Sequence, residues 1–128
     1  MKINEITREI IGAGIEVHRK LGPGLLESAY ETCLCHELAI RKIPFRRQVD
    51  LPIQYKGVNL KSSYRIDILV MDKVVVELKA VEKLQKINEV QLMTYLRLGG
   101  WKLGLLINFN EIILRHGIRR KINGQLDE

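Results

Sequence analysis

Aromatic residues are scarce: Phe, Trp and Tyr make up 5% of the 128 residues, so the core has to be aliphatic. Cysteine is nearly absent. Cys33 and Cys35 lie two apart in a helical pattern and point to different faces. That argues against a disulfide or a shared metal and fits a reducing, cytoplasmic setting. No apolar run approaches the roughly 20 residues of a membrane span, so no membrane partner is expected. The opening Met1-Lys2-Ile3-Asn4-Glu5-Ile6 lacks the apolar heart of a signal peptide. No repeat, low-complexity tract or linker divides the chain, and a single domain over residues 1–128 is expected. Acidic residues are in deficit, 15 against 21 basic ones, for a formal charge of +6. That balance suits an anionic partner, of which nucleic acid is the commonest, although a plain basic soluble protein would show it too.

What is present is organised around Tyr64 to Ala80, which reads as two strands joined by a tight turn at Met71-Asp72-Lys73. On the second strand Val75, Glu77 and Lys79 share one face, and Val74, Val76 and Leu78 share the other. Such an apolar strand is buried on both sides, and charge buried there needs a partner or a metal. An odd-length turn pairs residue 70 with 74 and places Asp67 opposite Glu77, so that Asp67, Glu77 and Lys79 converge. A two-residue turn would set Asp67 against Leu78 and dissolve the cluster. The odd turn is predicted. Convergence would allow a divalent metal and an activated water. The competing reading is a surface hairpin with a salt bridge worth under about 1 kcal/mol.

Upstream, residues 3 to 20 carry a helical stripe, Ile3, Ile6, Ile10, Ala13, Val17 and Leu21. Gly12 and Gly14 interrupt it and suggest close packing, and His18 suits capping or packing in the last turn. Gly22-Pro23-Gly24 ends that helix, and a second runs from about Leu25 to Arg41. Glu27 precedes Tyr30, Leu34 and Leu38 by three, seven and eleven residues, at the rim of the buried stripe. It is either a favourable first-turn acid or a further acid leaning towards the metal site.

Residues 43 to 60 predict an irregular or edge strand, with Pro44 and Pro52, and a turn at Lys56-Gly57. Arg46 and Arg47 could meet phosphates or face solvent. From Val58 an alternation through Leu60, Ser62, Tyr64 and Ile66 leads into the hairpin. After Ala80 a helix is predicted over 81–98, with Leu84, Ile87, Gln91, Tyr95 and Leu98 as its inward stripe. Gln91 and Tyr95 could there brace the site or reach a ligand's backbone, or simply be satisfied locally. Trp101 to Phe109 is an interior strand, parallel to the strand of Glu77 and Lys79 through a helical crossover. Ile112 to Leu114 reads as a short final strand. The tail with Arg119, Arg120, Lys121, Asp127 and Glu128 is a phosphate-contacting arm or a frayed end.

Asp67 with Glu77-Leu78-Lys79, in the order helix, strand, strand, strand, helix, strand, resembles the PD-(D/E)xK nuclease superfamily. Gly24-Leu25-Leu26-Glu27-Ser28-Ala29-Tyr30, the lead-in Val17 to Pro23, Gln91 to Tyr95 and Ile107-Asn108-Phe109 are similar to the compact GxxExxY branch. The resemblance covers about Ile6 to Arg120. It implies an α/β, restriction-endonuclease-like mixed sheet flanked by helices, α-α-β-β-β-α-β with a short C-terminal strand. It also implies a metal-dependent nuclease. Asp67 and Glu77 would hold Mg2+ (or Mn2+), with the Leu78 carbonyl as a further ligand. Lys79 would orient the attacking water, and Glu27 would be the helical acid. Gln91 and Tyr95 would support the site or the nucleic-acid backbone. Arg65-Ile66 stands where the motif's name has Pro before Asp. DNA is the favoured substrate, and the state leans to a homodimer. Two further readings are a nucleic-acid-binding or regulatory module without turnover, and a homodimeric interaction domain joined through the glycines of the first helix.

Overall fold

The computed structural model describes residues 1–60 and 64–126. A five-stranded mixed sheet has two helices on one face and one on the other. The first face carries α1 (Ile3–Leu21) and α2 (Glu27–Ile40). The sheet runs β1 (Phe45–Asp50), β4 (Arg65–Val70), β5 (Val74–Lys79), β6 (Leu103–Asn108) and β7 (Ile118–Ile122) in spatial order. Among the described residues only β5 and β6 run parallel, joined over the second face by α3 (Lys86–Gly99). A separate ribbon of β2 (Ile53–Tyr55) and β3 (Val58–Leu60) projects between β1 and β4. No helix among the described residues is long and apolar enough to cross a membrane.

The strand alternation sorts the core into two layers. Val74, Val76 and Leu78 join Ile68, Val70, Leu105 and Ile107 beneath α1 and α2. Val75 joins Ile66, Leu69, Leu106, Leu92 and Leu96 beneath α3. Both central strands are therefore sealed on both faces, as their unbroken apolar runs require. Gly104 lets β6 approach α3, since a Cβ there would lie 2.7 Å from a Leu92 methyl. The glycines of α1 are used inside the fold: Gly14 faces Leu114 and Phe109, and Gly12 faces the Arg41 guanidinium. Both glycines thus serve packing within the fold. His18 accepts its packing role, with Nε2 2.7 Å from the Glu111 carbonyl oxygen.

Three expectations change. The alternation from Val58 onward is not one strand. Val58 and Leu60 pair only with β2, and a new strand starts at Arg65; Ser62 lies outside the described residues. The third helix starts at Lys86 and not at 81, with Gln85 and Asn88 capping it reciprocally. Its inward stripe is Leu92, Tyr95 and Leu96, while Ile87, Gln91 and Leu98 are exposed. The chain end differs most. Ile112 and Ile113 are exposed, Leu114–Gly117 forms a 3-10 turn, and the basic segment is strand β7. It satisfies the outer main-chain groups of β6, and Arg119 and Lys121 meet Glu89 of α3, the latter at 2.6 Å. Charged residues on an edge strand shield it from pairing with other chains. Asp127 and Glu128 lie outside the described residues.

Candidate active site

The odd turn forms. Val70 pairs with Val74, Leu69 with Val75 and Ile68 with Val76. Met71 and Asp72 both take left-handed conformations, and the Lys73 N–H donates to the Val70 carbonyl at 3.0 Å. The ladder between β4 and β5 then ends at Ile68↔Val76. Where the next main-chain bonds would lie, carboxylates take their place. Glu77 Oε2 accepts the Asp67 N–H at 2.7 Å, and Asp67 Oδ2 accepts the Leu78 N–H at 2.8 Å. The two acids thus lock each other across a split between adjacent strands. Strict alternation also fails there, because Ile66 and Leu69 both pack under α3. Asp67 sits at that irregularity, opposite Gln48, whose φ of 49° marks the matching distortion in β1.

Glu77 is 9% exposed. Burial, reinforced by the neighbouring Asp67 charge, pushes its carboxyl up to about 8. Asp67 is raised as well, chiefly by burial, against the Leu78 N–H and Lys79, which favour its ionised form. Lys79, at the half-buried end of β5, is the cation that opposes the rise at Asp67, Glu77 and Glu27. The end of β5 is anchored from β6. The Phe109 N–H donates to the Lys79 carbonyl at 2.9 Å, and the fully buried Asn108 side chain bonds both the N–H and the carbonyl of Val81.

Glu27 begins α2, and Tyr30 fixes that beginning. The Tyr30 hydroxyl donates to the Gly22 carbonyl at 2.6 Å and accepts the Leu25 N–H at 3.1 Å. Its ring stacks on Phe109 with centroids 4.6 Å apart. Gly24 has a φ of 101°, which favours glycine, and its N–H donates to Asn110. Gly24 and Tyr30 therefore fix the loop from which α2, and with it Glu27, begins. Partial burial raises the Glu27 carboxyl, with Lys79 opposing and Asp67 and Glu31 adding to the rise.

Tyr95 is buried beside the cluster, its hydroxyl raised by burial and by the Glu77 charge. Gln91 stands one turn earlier on α3 but is exposed, off the inward stripe where it was expected. Arg47 meets Glu31 at 2.8 Å. Arg46 is not brought to the site. It pairs with Asp72 at 2.7 Å, at the turn end of the hairpin, while the acids lie at the other end.

Three residues escaped the sequence reading. Glu31 is one helical turn beyond Glu27, a spacing that could have flagged it. Its charge raises Asp67 and Glu27. Gln48 donates to Glu31 Oε1 at 2.8 Å and favours the ionised form of Asp67, and nothing in its local sequence announces this. Asn108 was noted only as part of a motif, without its bridging role.

The donor set suits a hard cation held in part by water. No group of three His, Cys, Asp or Glu among the described residues forms an all-protein cage. A buried and a half-buried carboxylate that are costly to ionise together fit Mg2+ or Mn2+, since magnesium keeps several waters and takes substrate oxygens.

A family model for the PD-(D/E)XK nuclease superfamily matches residues 4–121. The chain belongs to this superfamily. Its five-stranded mixed sheet between helices is the restriction-endonuclease-like arrangement. Neither a curated protein nor a solved structure matches the chain.

Proposed function

We propose that the protein is a metal-dependent nuclease of the GxxExxY branch, hydrolysing phosphodiester bonds, with DNA as the favoured substrate. The observation that carries this is the locked Asp67–Glu77 pair at the strand split, with Lys79 beside it. Asp67 and Glu77 would hold Mg2+ or Mn2+, aided by the Leu78 carbonyl. Such an ion, when bound, polarises a phosphoryl oxygen and lowers the pKa of its water.

The chain's own residues supply the rest. Lys79 holds the attacking water and balances charge on the scissile phosphate. Glu27, with its raised carboxyl, flanks the same space and can exchange a proton with bound water. Tyr95 donates its hydroxyl to the nucleic-acid backbone, and Gln91, on the exposed face one turn earlier, contacts the strand further out. Arg47 holds Glu31 and lines the approach. Arg46, at the far turn, is assigned no contact with the reacting phosphate. A homodimer would extend the short surface that one domain offers a substrate; sedimentation at two concentrations checks it.

The test is incubation of purified protein with single- and double-stranded DNA and RNA plus Mn2+ or Mg2+. Cleavage should be abolished by EDTA and by Asp67→Asn, and lowered at least 100-fold by Lys79→Ala, on the scale of a lost charge-stabilising group. Salt-sensitive binding without cleavage, unchanged in both variants, would instead favour a non-catalytic binding or regulatory module on the same fold. A basic composition alone supports that second reading equally well.

A further inference from the structure

We propose that the β2–β3 ribbon is a binding arm for unpaired bases, so that the substrate is single-stranded or locally opened nucleic acid. The proposal rests on the nuclease reading for the direction in which the strand runs, but not for the binding itself.

The ribbon contributes nothing to either core layer. Its foot is closed by the Leu51 N–H donating to the Tyr64 carbonyl at 3.0 Å, and its tip is the two-residue turn Lys56-Gly57, both left-handed. A segment outside both core layers among the described residues would be expected to be polar. Instead Tyr55 is 64% exposed, Val58 and Leu60 are exposed, and the Lys56 ammonium lies 5.4 Å from the Tyr55 ring centroid. An exposed aromatic ring with an adjacent ammonium offers a stacking surface for a base and a charge for its phosphate.

The ribbon is also continuous with the acid cluster. At its foot the Tyr64 ring meets the Tyr95 ring edge-on, with centroids 6.4 Å apart. Tyr95 in turn feels the Glu77 and Asp67 charges. In a chain with only seven aromatic residues, Tyr64 and Tyr95 thus link the foot of the ribbon to the strand split, and Tyr55 stands exposed beside its tip. Stacking on aromatic rings needs bases free of a complementary strand, which a closed duplex does not offer. The competing occupant is a second copy of this chain, pairing along the ribbon's open edges.

Binding of fluorescein-labelled 12-nucleotide single strands, DNA and RNA, and of a blunt DNA duplex would be followed by anisotropy. Asp67→Asn protein with EDTA present keeps the probes intact. Tyr55→Ala should weaken single-strand binding about tenfold and duplex binding less than twofold, while Tyr55→Phe should retain single-strand affinity. Unaltered thermal midpoints would show that the exposed substitution leaves the fold intact. Equal affinity of all three proteins for single strands overturns the proposal. So does a Tyr55→Ala change in sedimenting mass without a change in affinity, which would assign the ribbon to self-association. Ribbon-dependent binding in a protein that cleaves nothing would leave the arm standing and remove the nuclease reading.

Discussion

Glu77 shows how one residue carries a pH signature. Its folded pKa of about 8 lies above the ordinary 4.5, so the folded chain binds the proton more tightly than the unfolded one. The stability tied to that proton is complete below about 4.5 and is lost as pH rises through about 8. In EDTA the thermal midpoint should therefore fall between these limits. Glu77→Gln, which cannot ionise, should flatten the decline, and Mg2+ should oppose it by binding the ionised pair. A midpoint rising with pH in EDTA would contradict this. Tyr30 offers a second residue-level test. Tyr30→Phe removes both hydroxyl contacts to the loop before α2, and is expected to cost about 1–3 kcal/mol in urea unfolding. Because α2, and with it Glu27, begins from that loop, cleavage should fall with it.

At the scale of elements, the decisive feature is the split between β4 and β5. The odd turn at Met71-Asp72-Lys73 was legible because a period of two leaves only two registers, and only one brings the acids together. The split itself was not legible. It arises when side-chain carboxylates displace main-chain partners, and alternation carries no sign of that. The stripe of α3 was misread for a related reason. Leu84, Ile87, Gln91, Tyr95 and Leu98 have helical spacing, but of these α3 turns only Tyr95 inward, beside Leu92 and Leu96, where Gly104 makes room for Leu92. Contact between β6 and α3 can be tested directly. Gly104→Val should destabilise by about 1–3 kcal/mol, and Leu92→Ala in the same chain should relieve part of it, giving a coupling above about 0.5 kcal/mol in a double-mutant cycle. Additive effects would mean that the two residues do not press on one another. The basic segment 119–121 was read as an arm because its charges hid a strand; strand β7 shows that a charged edge can still complete a sheet.

For the whole molecule, the mixed sheet flanked by helices, the order of its elements as far as β6 and the aliphatic core were readable from the chain, while the separate β2–β3 ribbon and the fifth strand, β7, were not. Glu31 and Gln48 were not, because they reach Asp67 only after α2 and β1 are brought alongside. The net charge of +6 acts at this scale too. Affinity for nucleic acid should fall steeply with salt, each neutralised phosphate of a single strand adding about −0.7 to the log–log slope. Lys56→Ala should make the slope shallower by about one such increment, and salt-independent binding would contradict a phosphate-led interface. Asp67 and Glu77 are proposed to seat one divalent ion jointly. Mn2+ titration at pH 7, followed by the free-ion EPR signal together with proton release, tests it most directly. One ion per chain should bind with release of protons, and in Asp67→Asn and Glu77→Gln the free-ion signal should stay at full strength with no proton release. Binding of Mn2+ with equal affinity by these variants, or its absence from the unaltered protein, would contradict the claim.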